Sequence, residues 1–163
     1  MICFHNPEEE NGYLSNWYLS EFTVDGIKFS SMEQYMMYEK ALLFRDQEAA
    51  EKILQTDNAA DIKALGRSVQ HFDDKIWIKV REEIVYKGVR EKFRQNPELA
   101  ENLEMTGEEI IAECAVKDRI WGIGLSMKDE NRHCIDRWRG QNLLGEILMR
   151  VRKEIKHQKK EQG

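Results

Sequence analysis

The sequence predicts an α+β fold: a single, predominantly helical domain with a small β-sheet that includes an N-terminal hairpin. Three observations lead there. Most of the chain repeats its apolar residues at the three- and four-residue spacing that one face of a helix requires. One stretch, Phe22-Thr23-Val24 and Ile27-Lys28-Phe29 about Asp25-Gly26, instead reads as two short strands joined by a tight turn. Helices are then followed by isolated strands, without the regular alternation that a parallel sheet demands.

The elements follow in order. Asp25-Gly26 tolerates the positive φ angles of a type I′ turn and so sets the hairpin. Ser30 and Ser31 open a helix, with Glu33 or Gln34 placed to complete a capping box, and it runs through Tyr35, Met36, Met37, Lys40 and Leu43. Asp46 starts a second helix carrying Ala50, Ile53 and Leu54. A third, near Ala59 to Leu65, is expected to stop at Gly66, a residue suited to a left-handed C-terminal cap. Asp73 or Asp74 caps the longest helix, where Trp77, Val80, Ile84, Val85, Val89 and Phe93 keep a helical period. Asn96-Pro97 supplies a cap and a first-turn proline ahead of Leu99 and Leu103. Glu109 to Val116, centred on Ile110, Ile111 and Ala112, reads as a buried strand. The final helix is expected from about Gln141 to Lys156, with Leu144, Ile147, Leu148, Val151 and Ile155 on one face. The expected organisation is one domain over residues 1–156 and a frayed polar tail over 157–163.

Composition narrows the function classes. A chain of 163 residues can bury an ordinary core without disulfides or a structural metal. Its net charge of −5 excludes nucleic-acid binding by a bulk basic surface, so any nucleotide must be gripped by a local pocket. Cys3, Cys114 and Cys134 are odd in number and far apart, which fits reduced thiols in a cytoplasm. Their spacing does not suit zinc, and no metal is expected. No apolar run is long enough to cross a membrane, and the N-terminus lacks a basic-then-apolar signal, so no membrane partner is expected. The pattern specifies no oligomeric state.

Two places hold residue types that do chemistry. On the first helix Glu33 and Lys40 share a face, because an offset of seven realigns on a 3.6-residue period. A carboxylate and an ammonium then project together, and the helix N-terminus offers free N–H groups to a phosphate. The same residues suit plainer duties: Glu33 as the capping partner of Ser30, Lys40 as a solvated cation. The second place is Lys117-Asp118-Arg119-Ile120-Trp121-Gly122-Ile123-Gly124. Two glycines after a tryptophan let backbone approach a flat ligand beside Asp118, or simply make a tight turn against a core tryptophan. They form no dinucleotide fingerprint. Trp77 falls on an apolar helical face, and Ser68, His71, Ser126 and His133 lack the setting of an activated nucleophile.

In order along the chain, a set of segments resembles the NADAR family of YbiA-like N-glycosidases. They are Leu14-Ser15-Asn16-Trp17, Val24-Asp25-Gly26, Ser31-Met32-Glu33-Gln34-Tyr35 with Lys40, Gly66-Arg67, Trp77, Asp118 through Gly124, and Gly140-Gln141-Asn142-Leu143-Leu144-Gly145, followed by Leu148-Met149 and Arg152. The resemblance implies a cofactor-free hydrolase that cleaves the C1–N bond between a phosphorylated ribose or ADP-ribose and a base or amine. The substrate classes it implies are ADP-ribose on guanine in nucleic acid and phosphoribosylamino-pyrimidine intermediates of riboflavin synthesis. It marks Glu33, Lys40 and Asp118 as catalytic, and Asn16, Arg67, Trp77, Trp121, Gly122, Gly124 and Asn142 as substrate-binding. Two positions depart from the family pattern: Gln34 stands where histidine is frequent, and Ala41 where an aromatic usually follows the lysine. Both are expected to reshape the base pocket.

The chemistry agrees with those residue types. Breaking a C1–N bond builds positive charge on the sugar and needs a proton on the leaving nitrogen, two roles that a pair of carboxylates can divide. Glu33, shielded by Met36 and Met37, is expected to carry the proton; Asp118 is expected to stay ionised in the same pocket and hold the ribose hydroxyls or steady the cation. Trp77 or Trp121 offers an aromatic face to the base. Lys40 and Arg67 suit a phosphate or pyrophosphate, and Lys40 is also open to attack on C1 with a Schiff-base intermediate. Segment 126–139, with Lys128, Arg132, Arg137 and Arg139, is expected either to touch the phosphates of ADP-ribosylated DNA or RNA or to be a solvated loop. A non-catalytic module that binds ADP-ribose is the rival to the enzyme.

Overall fold

The computed structural model describes residues 1–163. The elements are β1 (Ile2–Phe4), β2 (Leu19–Val24), β3 (Ile27–Ser31), α1 (Met32–Leu43), α2 (Gln47–Leu54), α3 (Ala59–Arg67), α4 (Asp74–Gln95), α5 (Pro97–Met105), β4 (Ile111–Glu113) and α6 (Leu143–Gln162). This is the predominantly helical α+β fold that the sequence predicts, except that the strands pair as two separate two-stranded sheets. The chain divides into two compact units, one running continuously over Leu19–Asn96 and one joining Met1–Tyr18 to Pro97–Gly163.

The continuous unit is built on the hairpin and α1. Asp25 and Gly26 take φ angles of 51° and 82°, as a type I′ turn requires. Phe22 and Phe29 turn inward to meet Tyr35 of α1, with ring centroids 5.3–6.0 Å apart among the three. Every residue from Met32 to Tyr38 is buried, so the first two turns of α1 are wrapped on all sides. Ser31 caps the helix, its Oγ accepting from the Gln34 amide at 3.1 Å, while Gln34 Oε1 accepts from the Ser30 amide at 2.7 Å. Gln34 is therefore the capping partner, and Glu33 is not. The Gln34 Nε2 donates to the carbonyls of Ile53 and Thr56, tying the start of α1 to the end of α2. The Gln34 amide is thus engaged with backbone on both sides.

Gly66 also differs from expectation. It lies inside α3, which continues through Arg67 to a cap at Ser68. A Cβ at Gly66 would collide with the Met37 side chain, which would have to move for α3 to stay against α1, so glycine suits this close approach. The period on α4 concealed a charge, since Lys92 is fully buried beside Phe93. Burial holds its amine down to about 7. Between that value and the ordinary lysine range the unfolded chain binds the extra proton, so stability is expected to rise with pH from about 7 to 10. Thermal melts across that range check this, and Lys92→Met should lose the rise.

In the other unit β1 lies parallel to β4, with Ile2 opposite Ile111 and Phe4 opposite Glu113. The strand expected over Glu109 to Val116 is only three residues long, because beyond Glu113 the chain turns away into a loop closed by Ile123 N donating to Glu113 O at 2.8 Å. The helix expected to end near Lys156 continues through Gln162. Its last turns hold good helix formers with His157 and Glu161 paired four apart and Lys159 reaching Glu104 at 2.9 Å.

Asn142 precedes α6 in the left-handed region at φ 55° and is fully buried. Its Oδ1 accepts from the Glu113 amide at 3.1 Å and its Nδ2 donates to the Ile111 carbonyl at 2.8 Å, so it joins β4 to the start of α6. Asn142→Ala leaves both buried strand groups unpaired and is expected to lower the unfolding free energy by about 3 kcal/mol, read from the denaturant midpoint.

Candidate active site

Within the continuous unit the residues expected to do chemistry converge on α1. Glu33 occupies its first turn and is 5% exposed, while Lys40 sits two turns on, half-buried, on the same face. The Lys40 amine is held below the ordinary lysine value, first by burial and then by the Arg67 guanidinium, with the carboxylates of Glu33 and Asp74 pulling the other way. Glu33, Arg67 and Asp74 thus all act electrostatically on the Lys40 amine. Arg67 lies on the exposed last turn of α3, the turn in which Gly66 packs against Met37 of α1.

Two further groups at this amine come from the stretch that enters α4. Asp73 caps α4, its Oδ1 accepting from the Lys75 amide at 3.0 Å, which leaves Asp74 as the carboxylate acting on Lys40. Phe72 lies under the amine, with Lys40 Nζ 4.5 Å from its ring centroid. Sequence reasoning took Asp74 only as a cap and passed over Phe72; the available signal was a lone aromatic in the otherwise polar run Gln70-His71-Phe72-Asp73-Asp74. Trp77 follows Asp74 by three residues on α4, and only 7% of it is exposed.

Asn16, Asp118, Trp121, Gly122, Gly124 and Asn142 belong to the other unit. Asn16 is buried, and its Oδ1 accepts no hydrogen bond, an orphan acceptor of the kind that folded chains keep few of. Asp118 closes a turn, with Oδ1 accepting from the amides of Ile120 at 3.0 Å and Trp121 at 2.8 Å. Trp121 is half-buried. Gly122 and Gly124 face protein backbone: a Cβ on Gly122 would stand 2.9 Å from Glu113 O, and Gly124, at φ 73°, packs on Arg139. The 119–123 stretch is stitched to residues 139–144 by amides of Arg139, Gln141, Asn142, Leu143 and Leu144. The two glycines here permit close backbone packing, and Asn142 positions β4 instead of presenting a free amide. Segment 126–139 forms two short 3₁₀ turns, with Lys128, Arg137 and Arg139 exposed and Arg132 Nη1 donating to the Asp129 carbonyl at 2.9 Å.

The model of one protein family, the NADAR domain, matches residues 3–156. The chain belongs to the NADAR family. This NADAR chain is 42% identical over 161 residues to an N-glycosidase of Acanthamoeba polyphaga mimivirus, covering 94% of the chain and 95% of that protein. It is 28% identical over 155 residues to N-glycosidase YbiA of Escherichia coli, covering 95% of the chain and 88% of that protein. A riboflavin biosynthesis protein of Vibrio vulnificus is 37% identical over 154 residues, covering 94% of the chain, but the chain spans only 38% of that protein's length. The solved NMR structure of the E. coli protein YbiA matches with a TM-score of 0.80 at 27% identity, covering 97% of this chain and 86% of that one. No helix of this NADAR domain is long and apolar enough to cross a membrane.

Proposed function

We propose that the chain is an N-glycosidase that hydrolyses the C1–N bond joining a phosphorylated ribose or ADP-ribose to a base. Relatives named N-glycosidases support that chemistry in general. The observation that carries it to particular residues is the half-buried Lys40 amine, lowered in pKa and set among Glu33, Arg67 and Asp74.

A lysine that gives up its proton readily is a nucleophile. In the proposed reaction the Lys40 Nζ lone pair attacks C1, the C1–N bond breaks, and its electrons leave with the base nitrogen, which takes a proton from Glu33. The sugar ring then opens to an imine on Nζ. Water hydrolyses that imine, releasing the sugar and restoring the amine. Arg67, exposed on the last turn of α3, suits a phosphate or pyrophosphate oxygen. The proposed substrates are ADP-ribose attached to guanine in nucleic acid and a phosphoribosylamino-pyrimidine of riboflavin synthesis, both of which carry such an anionic group and a flat leaving group.

Incubating the purified chain with each substrate tests the proposal, with liquid chromatography quantifying ADP-ribose freed from the nucleic acid and aminopyrimidine freed from the riboflavin intermediate. Release of either product supports it. A folded protein that binds ADP-ribose in calorimetry yet cleaves neither substrate is a binding module, and the proposal fails.

A further inference from the structure

We propose that Phe72 is a substrate-binding residue whose ring stacks on the planar leaving base of the substrate beside Lys40. The inference rests on the N-glycosidase reading of α1 and assigns the part of the substrate that reading leaves unheld. The ring is fixed from two sides: Lys40 Nζ stands 4.5 Å from its centroid, and Phe44, itself buried, meets it edge-on with centroids 5.2 Å apart at 68°. Nevertheless 43% of Phe72 remains exposed. Trp77, on the adjoining helix, is 7% exposed and has little face left to offer.

The loop that carries Phe72 is pinned on both sides of it. Val69 is buried, and the Gln70 amide donates to Asp46 Oδ2 at 2.9 Å, while Asp46 Oδ1 caps α2. His71 then takes φ 61°, a left-handed turn that non-glycine residues adopt uncommonly, and Asp73 caps α4 immediately after. A large aromatic is therefore held rigidly at the surface, next to the amine on which the proposed reaction turns. Aromatic faces of this kind bind bases by stacking irrespective of the base's hydrogen-bonding edge. In both proposed substrates the leaving nitrogen belongs to a planar heteroaromatic ring, so one platform serves either.

The test compares Phe72→Ala, Phe72→Leu and Phe72→Trp with the wild-type chain in steady-state kinetics on both substrates and in calorimetric titration with guanosine 5′-monophosphate. The alanine and leucine variants are expected to raise KM and weaken nucleotide binding by about tenfold, and the tryptophan variant to retain both. A leucine variant that matches wild type would reduce Phe72 to apolar cover and overturn the proposal, as would a tryptophan variant no better than alanine. If the wild-type chain turns over neither substrate, the N-glycosidase reading fails, and the nucleotide titration still decides the role of Phe72: equal binding by all four proteins refutes it.

Discussion

Glu33→Gln is expected to slow cleavage of the C1–N bond by roughly 10²- to 10⁴-fold, the range removed when a positioned acid or base is lost. Ligand affinity should survive, because glutamine has nearly the same shape and the site's cations are untouched. Gln34 takes the capping role at Ser30 and Ser31, so the buried carboxylate beside it is not needed to close the helix. Glu33 is 5% exposed on the first turn, shielded from water as a proton donor needs. Single-turnover cleavage, run alongside calorimetry with ADP-ribose, measures both halves. Full activity in the variant would remove Glu33 as the proton donor.

Lys40→Ala is expected to abolish turnover, and Lys40→Arg to fail as a rescue, since a guanidinium does not deprotonate and cannot attack C1. The pH profile separates this from a mere phosphate grip. As a nucleophile Lys40 works as the free amine, so in a Glu33→Gln background, where no carboxyl proton is in play, the residual rate should rise with pH through the Lys40 pKa and level off above it. Burial moves that rise below the ordinary lysine range. As a phosphate ligand Lys40 would work protonated, and activity would fall as pH rose through the same point. A rate that falls across this range while Lys40→Arg stays active would assign Lys40 to binding.

The parts of this account that were legible in the sequence are those fixed by local rules. The Asp25-Gly26 turn, the caps at Ser31, Asp46 and Asp73, and the shared face of Glu33 and Lys40 all depend on residues a few positions apart, and the structure has each. What was not legible depends on distant neighbours. β1 is three residues long and exists only because β4, more than a hundred residues later, lies beside it. Gly66 looked like a stop signal because the close approach it suits is to Met37 on another helix. Lys92 kept the apolar period of α4 while being a cation, and Gln34 found its partners at Ile53 and Thr56. Phe72 escaped notice because an aromatic in a polar turn acquires meaning only when Lys40 lies over its ring.

The most direct measurement is chemical trapping. The wild-type chain is mixed with substrate in the presence of borohydride, digested, and its peptides weighed by mass spectrometry. An imine between Lys40 Nζ and the opened sugar would be reduced to a stable secondary amine, so the account predicts a mass increase on the peptide containing Lys40 together with progressive loss of activity. Undiminished turnover in borohydride, with no added mass on that peptide, would contradict it.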